Sequence, residues 1–238
     1  MKIIISELST LLISGRVTKI TTDRYFPENF LRVYWLTLFA SSITVFIAYA
    51  LLSLSSIEIP LHILHESLKH HSLSSLILVF CLLAPLQQEI QFRLCLVYSR
   101  INISVFTSIW CFLFLNNFNE GRGIFGEQDH TSLSIALSLI IMASTYSLLH
   151  QNKSVNDRLE AFWMCYSKHI FLLSILCSTL FQVVALDQHL LDMRLIPILA
   201  IFTLLLGLIL GYTRLKYGVI YALLLHIGHN VLFIFLVR

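Results

Sequence analysis

Charge is what this chain has least of. Asp, Glu, Lys and Arg supply 12% of its 238 residues and hydrophobic residues 57%, where an ordinary soluble domain is roughly a quarter charged. That balance excludes a water-soluble globular domain and points to a membrane protein, and the length suits one polytopic bundle. The net charge is only +3. With no basic stripe and no patch of interleaved aromatics, no nucleic-acid partner is expected. The five cysteines, Cys81, Cys95, Cys111, Cys165 and Cys177, are odd in number and lie almost entirely in apolar segments. They form neither a disulfide framework nor a zinc-knuckle spacing, and are expected to be small buried hydrophobes.

Other familiar features are missing too. Met1 to Asn29 lacks the short apolar core and small-residue cleavage site of a signal peptide. Residues 1–30 are therefore expected to form a cytosolic or interfacial segment, with Ile3-Ile4-Ile5 and Leu11-Leu12-Ile13 on the membrane surface. No internal repeat, low-complexity tract or flexible linker stands out, and the lack of inverted repeats counts against a transporter.

What the chain does have is length in its apolar runs. A spanning helix needs about 20 mostly apolar residues. Seven candidates emerge, at about 31–55, 72–98, 103–118, 131–150, 165–186, 194–213 and 217–237. Asn116 to His130 and Gln151 to Glu160 read as the longest polar connections, and the third or fourth run as a candidate re-entrant segment. With the N-terminus inside, 11 basic residues fall on the cytoplasmic side: Lys2, Arg16, Lys19, Arg24, Arg32, Arg100, Lys153, Arg158, Lys168, Arg214 and Lys216. Only 4 fall outside (Lys69, Arg122, Arg194 and Arg238), and Arg93 is intramembrane. The bias fits the positive-inside rule. The expected fold is an all-α transmembrane helix bundle of about seven spans over residues 31–238, N-in and C-out.

Two of these runs carry polar groups, which are expensive in hydrocarbon and so mark a functional site by default. The first is Ala84-Pro85-Leu86-Gln87-Gln88-Glu89-Ile90-Gln91-Phe92-Arg93, where Pro85 is expected to kink or restart the helix. The second contains His226, Gly228, His229 and Asn230. Glu89 and Arg93 are i and i+4 and are placed to pair; His226 and Asn230 share the same spacing, with His229 beside them. Together they are placed to line one polar cavity. Each also has a plain structural reading: a helix-pinning ion pair for Glu89–Arg93 and interhelical hydrogen bonds for His226 and Asn230. A two-His, one-carboxylate metal set at Glu89, His226 and His229 is conceivable by count, but spacing alone leaves it incomplete. No cofactor is expected. His62, His65, Glu66, His70 and His71 read as a solvated external loop rather than a metal site.

Ala84-Pro85-x-x-Gln88-Glu89-x-x-Phe92-Arg93 resembles the first motif of the CAAX-protease and bacteriocin-processing family of intramembrane proteins, which usually reads Ala-Pro-x-x-Glu-Glu-x-x-Phe-Arg. The stretch from Gly207 and Gly211-Tyr212-x-Arg214-x-Lys216-Tyr217-Gly218 to His226-x-x-x-Asn230 is similar to the family's last motif and the helix before it. The resemblance covers about residues 75–237. It implies an intramembrane endopeptidase in a bacterial cytoplasmic membrane, acting on a peptide or membrane-protein substrate. It further implies that the first motif's first Glu and a middle-motif His activate water, while His226 and Asn230 stabilise the oxyanion.

Two positions depart from that pattern. Gln88 stands where the first Glu belongs, and a carboxamide is no general base at ordinary pH. The middle motif, Phe-x-x-x-His, aligns at Phe181-Gln182-Val183-Val184-Ala185, so Ala185 replaces the His, 41 residues before His226. His189, His150 and Asn116 are the candidate substitutes. Two readings stay open: an endopeptidase, or a pseudoenzyme that keeps the cavity and binds a lipid, peptide or membrane-protein partner.

Overall fold

In a bilayer the backbone must satisfy its own polar groups, so long apolar runs fold as helices. The computed structural model describes residues 2–14, 30–39, 42–43, 72–119, 129–185 and 196–237. Among the described residues the ordered elements are all helical and no strand occurs. They are α1 (Lys2–Ser14), α2 (Phe30–Phe39), α3 (Ile77–Leu96), α4 (Arg100–Asn119), α5 (Asp129–Gln151), α6 (Lys153–Cys165), α7 (Ser167–Ala185), α8 (Ile196–Tyr217) and α9 (Val219–Val237).

Three helical segments are individually long and apolar enough to cross a membrane: Ile77–Leu96, Thr131–Gln151 and Ala200–Tyr217. A fourth candidate is the bent pair α6–α7, which turns by 75° at Tyr166. Exposed apolar side chains coat the outside. On α5 alone Leu133, Ile135, Leu139, Ile140 and Leu148 point outward, a surface that water would not tolerate and a bilayer covers.

Helix α3 lies at the centre, packed against α4, α7, α8 and α9. In Ala200–Tyr217 of α8 56% of the span is buried, against 17% in Thr131–Gln151 of α5, so α8 is a core element and α5 a peripheral one. Small residues let α8 approach α7. A Cβ on Gly211 would lie 2.7 Å from Phe171 Cε2, and one on Gly207 3.1 Å from Ile175 Cγ2. Only hydrogen at these positions allows the close crossing. Gly218, at φ +100°, makes the left-handed turn between α8 and α9, a conformation that other residues resist.

The segment Gln151 to Glu160 departs from expectation. It is no loop: apart from Asn152 it is helical, because the Asn152 side chain caps α6 by accepting from the Val155 N–H at 3.2 Å. The expected re-entrant break is likewise not in α4 or α5, which form continuous helices of 20 and 23 residues; the sharp bend lies between α6 and α7. Helix α1 also does more than rest on a surface. Leu11 is fully buried against Phe171, Leu210 and Tyr212, in a cluster that includes Val33 of α2. Glu7 accepts from the Tyr212 hydroxyl and the Lys216 ammonium, fastening α1 to the end of α8.

Candidate functional site

The polar stretch of α3 is not a regular helix. Ile77–Leu83 winds as a wide π-helix, Ala84–Gln88 returns to α geometry, Glu89–Arg93 widens again, and Leu94–Leu96 tightens to a 3₁₀ turn. Pro85 explains the first change. A wide turn aims the carbonyl of Phe80 at residue 85, five places on, and proline has no N–H to give. Asn230 of α9 supplies the donor instead, its Nδ2 lying 2.7 Å from the Phe80 oxygen.

The rest of α3 is treated the same way. The Gln91 carbonyl accepts from Trp110 Nε1 of α4 at 3.1 Å, and the Phe92 carbonyl from Ser174 Oγ of α7 at 2.5 Å. The Cys95 carbonyl accepts from Trp163 Nε1 of α6 at 2.6 Å. Helices α4, α6, α7 and α9 each give one side-chain donor to a backbone oxygen of α3, which pins an irregular helix in one conformation.

On that helix the structure brings together Glu89, Arg93 and His226. Glu89 Oε1 accepts from Arg93 Nη1, and both residues are almost fully buried, at 1% and 2% exposure. His226 Nδ1 is 3.8 Å from the same oxygen. Glu89 Oε2 and His226 Nδ1 have no hydrogen-bond partner within the protein. Gly207 of α8 lies beside the guanidinium: a Cβ there would stand in ordinary contact, 3.9 Å from Arg93 Nη2.

Gln88 faces elsewhere. Its Oε1 accepts from Gln182 Nε2 of α7 at 2.9 Å. Gln182 lies three residues before Ala185, the last residue of that helix, so Gln88 and the Phe181–Ala185 segment meet across the α3–α7 contact. A carboxamide pair joins the two helices there.

The remaining candidates separate from this cluster. Asn230 shares a helix with His226, but its amide goes to Phe80. His229 packs its ring beside Phe202 of α8, with centroids 5.7 Å apart. Among the described residues no three His, Cys, Asp or Glu side chains gather as a metal-binding set, so Glu89, His226 and His229 do not converge. His150 stacks on Tyr146 and meets Arg100 Nη1 at 3.2 Å. Asn116 falls within α4, and its side chain lies outside the described residues, as do His62, His65, Glu66, His70, His71 and His189.

Sequence reasoning missed Ser174, Gln182, Trp110 and Trp163 as partners of the polar stretch. One signal was available: Ser174, Ser178 and Gln182 recur every four residues along α7 and mark a polar stripe. The indole donors of Trp110 and Trp163 carried none. Comparison of the chain with family models, curated proteins and solved structures gives no match, so the meaning of the site rests on its residues and their geometry.

Proposed function

We propose that this chain is a non-catalytic member of the CAAX-protease-like intramembrane proteins, binding a membrane-embedded peptide or protein partner at the Glu89–Arg93–His226 cluster. Its architecture in this reading is seven spans, N-in and C-out, in a bacterial cytoplasmic membrane. Support for the span count comes from helix in each of the seven apolar runs, including the shorter segments Phe30–Phe39, Arg100–Leu115 and Val219–Leu232. Support for the orientation comes from the 11-to-4 bias of Lys and Arg.

The observation that carries the functional reading is the Gln88–Gln182 hydrogen bond. Where the resemblance calls for a carboxylate and an imidazole to share a water, two carboxamides bond to each other. Neither takes a proton at ordinary pH. Glu89, the nearest carboxylate, is engaged by Arg93.

The test is cleavage of a panel of membrane-embedded peptides by purified protein in lipid. General acid–base groups contribute about 10²–10⁴-fold to such rates. The native chain should therefore cleave nothing measurable, while Gln88→Glu with Ala185→His gains activity. Native cleavage abolished by Glu89→Gln would overturn the proposal. That outcome belongs to a second reading, an active endopeptidase, favoured by the unpartnered Glu89 Oε2 and His226 Nδ1 on groups 3.8 Å apart. A water held between them would be the nucleophile.

A further inference from the structure

Among the described residues the buried charges do not balance, and the imbalance sits at Arg214. Three cations among the described residues are buried to nine-tenths or more: Arg93, Arg214 and Lys216. Two carboxylates face them. Glu89 takes Arg93, and Glu7 takes Lys216. Arg214 is left over. It is 5% exposed, its Nε is buried with no hydrogen-bond partner, and among the described residues it makes no ion pair. Glu89 lies within electrostatic range of it, as does the Cys95 thiol, but neither is bonded to it. A guanidinium stays charged under all ordinary conditions, and a buried charge without a counter-ion is strongly unfavourable. The negative end of the α8 dipole helps only modestly.

The position of Arg214 narrows what would complete it. It lies three residues before the end of α8, about 4.5 Å along the axis at 1.5 Å per residue. It therefore sits near the membrane–water boundary rather than the midplane. The chain's path gathers other cations at the same end: Arg100 at the start of α4, Lys153 and Arg158 on α6, Lys168 at the start of α7 and Lys216 beside it.

We propose that Arg214 binds a phosphate group, and that the phosphate belongs to the headgroup of an anionic phospholipid in the leaflet facing this end. The planar guanidinium fork matches two phosphate oxygens, the depth matches the headgroup layer, and the surrounding cations favour anionic over zwitterionic lipid. This assignment is independent of whether the Glu89 cluster hydrolyses or only binds.

The test uses the full chain in micelles, titrated with phosphatidylglycerol, phosphatidylcholine or inorganic phosphate, with bound species counted by native mass spectrometry. The native chain should retain phosphatidylglycerol at least tenfold more tightly than phosphatidylcholine. Arg214→Gln should lose that preference by about tenfold, roughly 1.4 kcal/mol, and Arg214→Lys should recover part of it. Arg158→Gln, an exposed basic residue on α6, should change it less than twofold. A Glu89→Gln variant shown to be folded should retain the lipid equally or more tightly, because it removes a competing anion. Loss of retention in that folded variant equal to that in Arg214→Gln would overturn the proposal, since Arg214 would then serve Glu89. So would equal retention by native protein and a folded Arg214→Gln variant. Saturation by inorganic phosphate with no phosphatidylglycerol preference would overturn the lipid source.

Discussion

The Glu89–Arg93 pair gives the sharpest energetic test, through a double-mutant cycle of Glu89→Leu and Arg93→Met. Both side chains are buried to within 2%, so removing either strands a charge. Breaking a buried pair from one side costs about 3–5 kcal/mol, whereas replacing both partners by apolar groups is often close to neutral. The two single variants should not be equal. With Glu89 gone, Arg93 loses its partner and Arg214 loses the carboxylate within its electrostatic range, so two buried guanidiniums are left uncompensated. With Arg93 gone, Glu89 still feels Arg214. Glu89→Leu should fall at the upper end of that range and Arg93→Met at the lower. The double variant should cost less than either, with a coupling energy of at least about 3 kcal/mol, the top of the usual range for contacting residues. Reversible unfolding in mixed micelles reads this out, and Trp110 is a local reporter because its ring lies 6.0 Å from Phe92 on α3. Additive costs would refute the pairing as the reason these residues are buried. A larger cost for Arg93→Met than for Glu89→Leu would refute the role given to Arg214.

Three further outcomes follow from packing and hydrogen bonding. Gly211→Ala drives a methyl to 2.7 Å from the buried Phe171 ring and should destabilise by about 1–3 kcal/mol; thermal unfolding should show Gly207→Ala, facing a rotatable Ile175 methyl, to be milder. Asn230→Leu removes the donor to the Phe80 carbonyl, costing about 1–3 kcal/mol, with faster amide exchange confined to the turns around Pro85. Glu7→Gln leaves the Lys216 ammonium, 6% exposed, without its counter-charge. A cost of about 1–3 kcal/mol and selective proteolysis of α1 are expected.

The helices were legible because bilayer-length apolar runs have one way to satisfy their backbone, and the Glu89–Arg93 pairing because i,i+4 neighbours on one helix need no knowledge of the fold. Other features were hidden for physical reasons. Gln151 to Glu160 read as a polar connection because its charges dominate, yet Val155, Leu159 and Trp163 recur at four-residue spacing and turn inward. Asn230 was assigned with His226 from their i,i+4 spacing; the wide turn before Pro85 gives its amide a different acceptor, the Phe80 carbonyl. The contact of Glu7 with Tyr212 spans 205 residues, and no spacing rule reaches that far. The leftover charge at Arg214 became visible only once Lys216 was seen to be matched.

Irregular turns run along α3, and Pro85 accounts for the first of them. A proline inside a buried membrane helix frees carbonyls, and an unpaired carbonyl in hydrocarbon costs several kcal/mol. Asn230 answers that cost at Phe80, while Ser174, Trp110 and Trp163 bond carbonyls further along α3 that the proline does not free, and none of the four needs a substrate to do so. The Glu89–Arg93 pair is self-contained in the same sense, since each charge is met by its neighbour one turn away. The polar stretch is thus stabilised as architecture, independently of any chemistry at Gln88 or Ala185. In the reading proposed above, water activation is lost at those two positions while every one of these bonds stays intact. What then distinguishes the site is the charge left unmatched among the described residues, the guanidinium of Arg214.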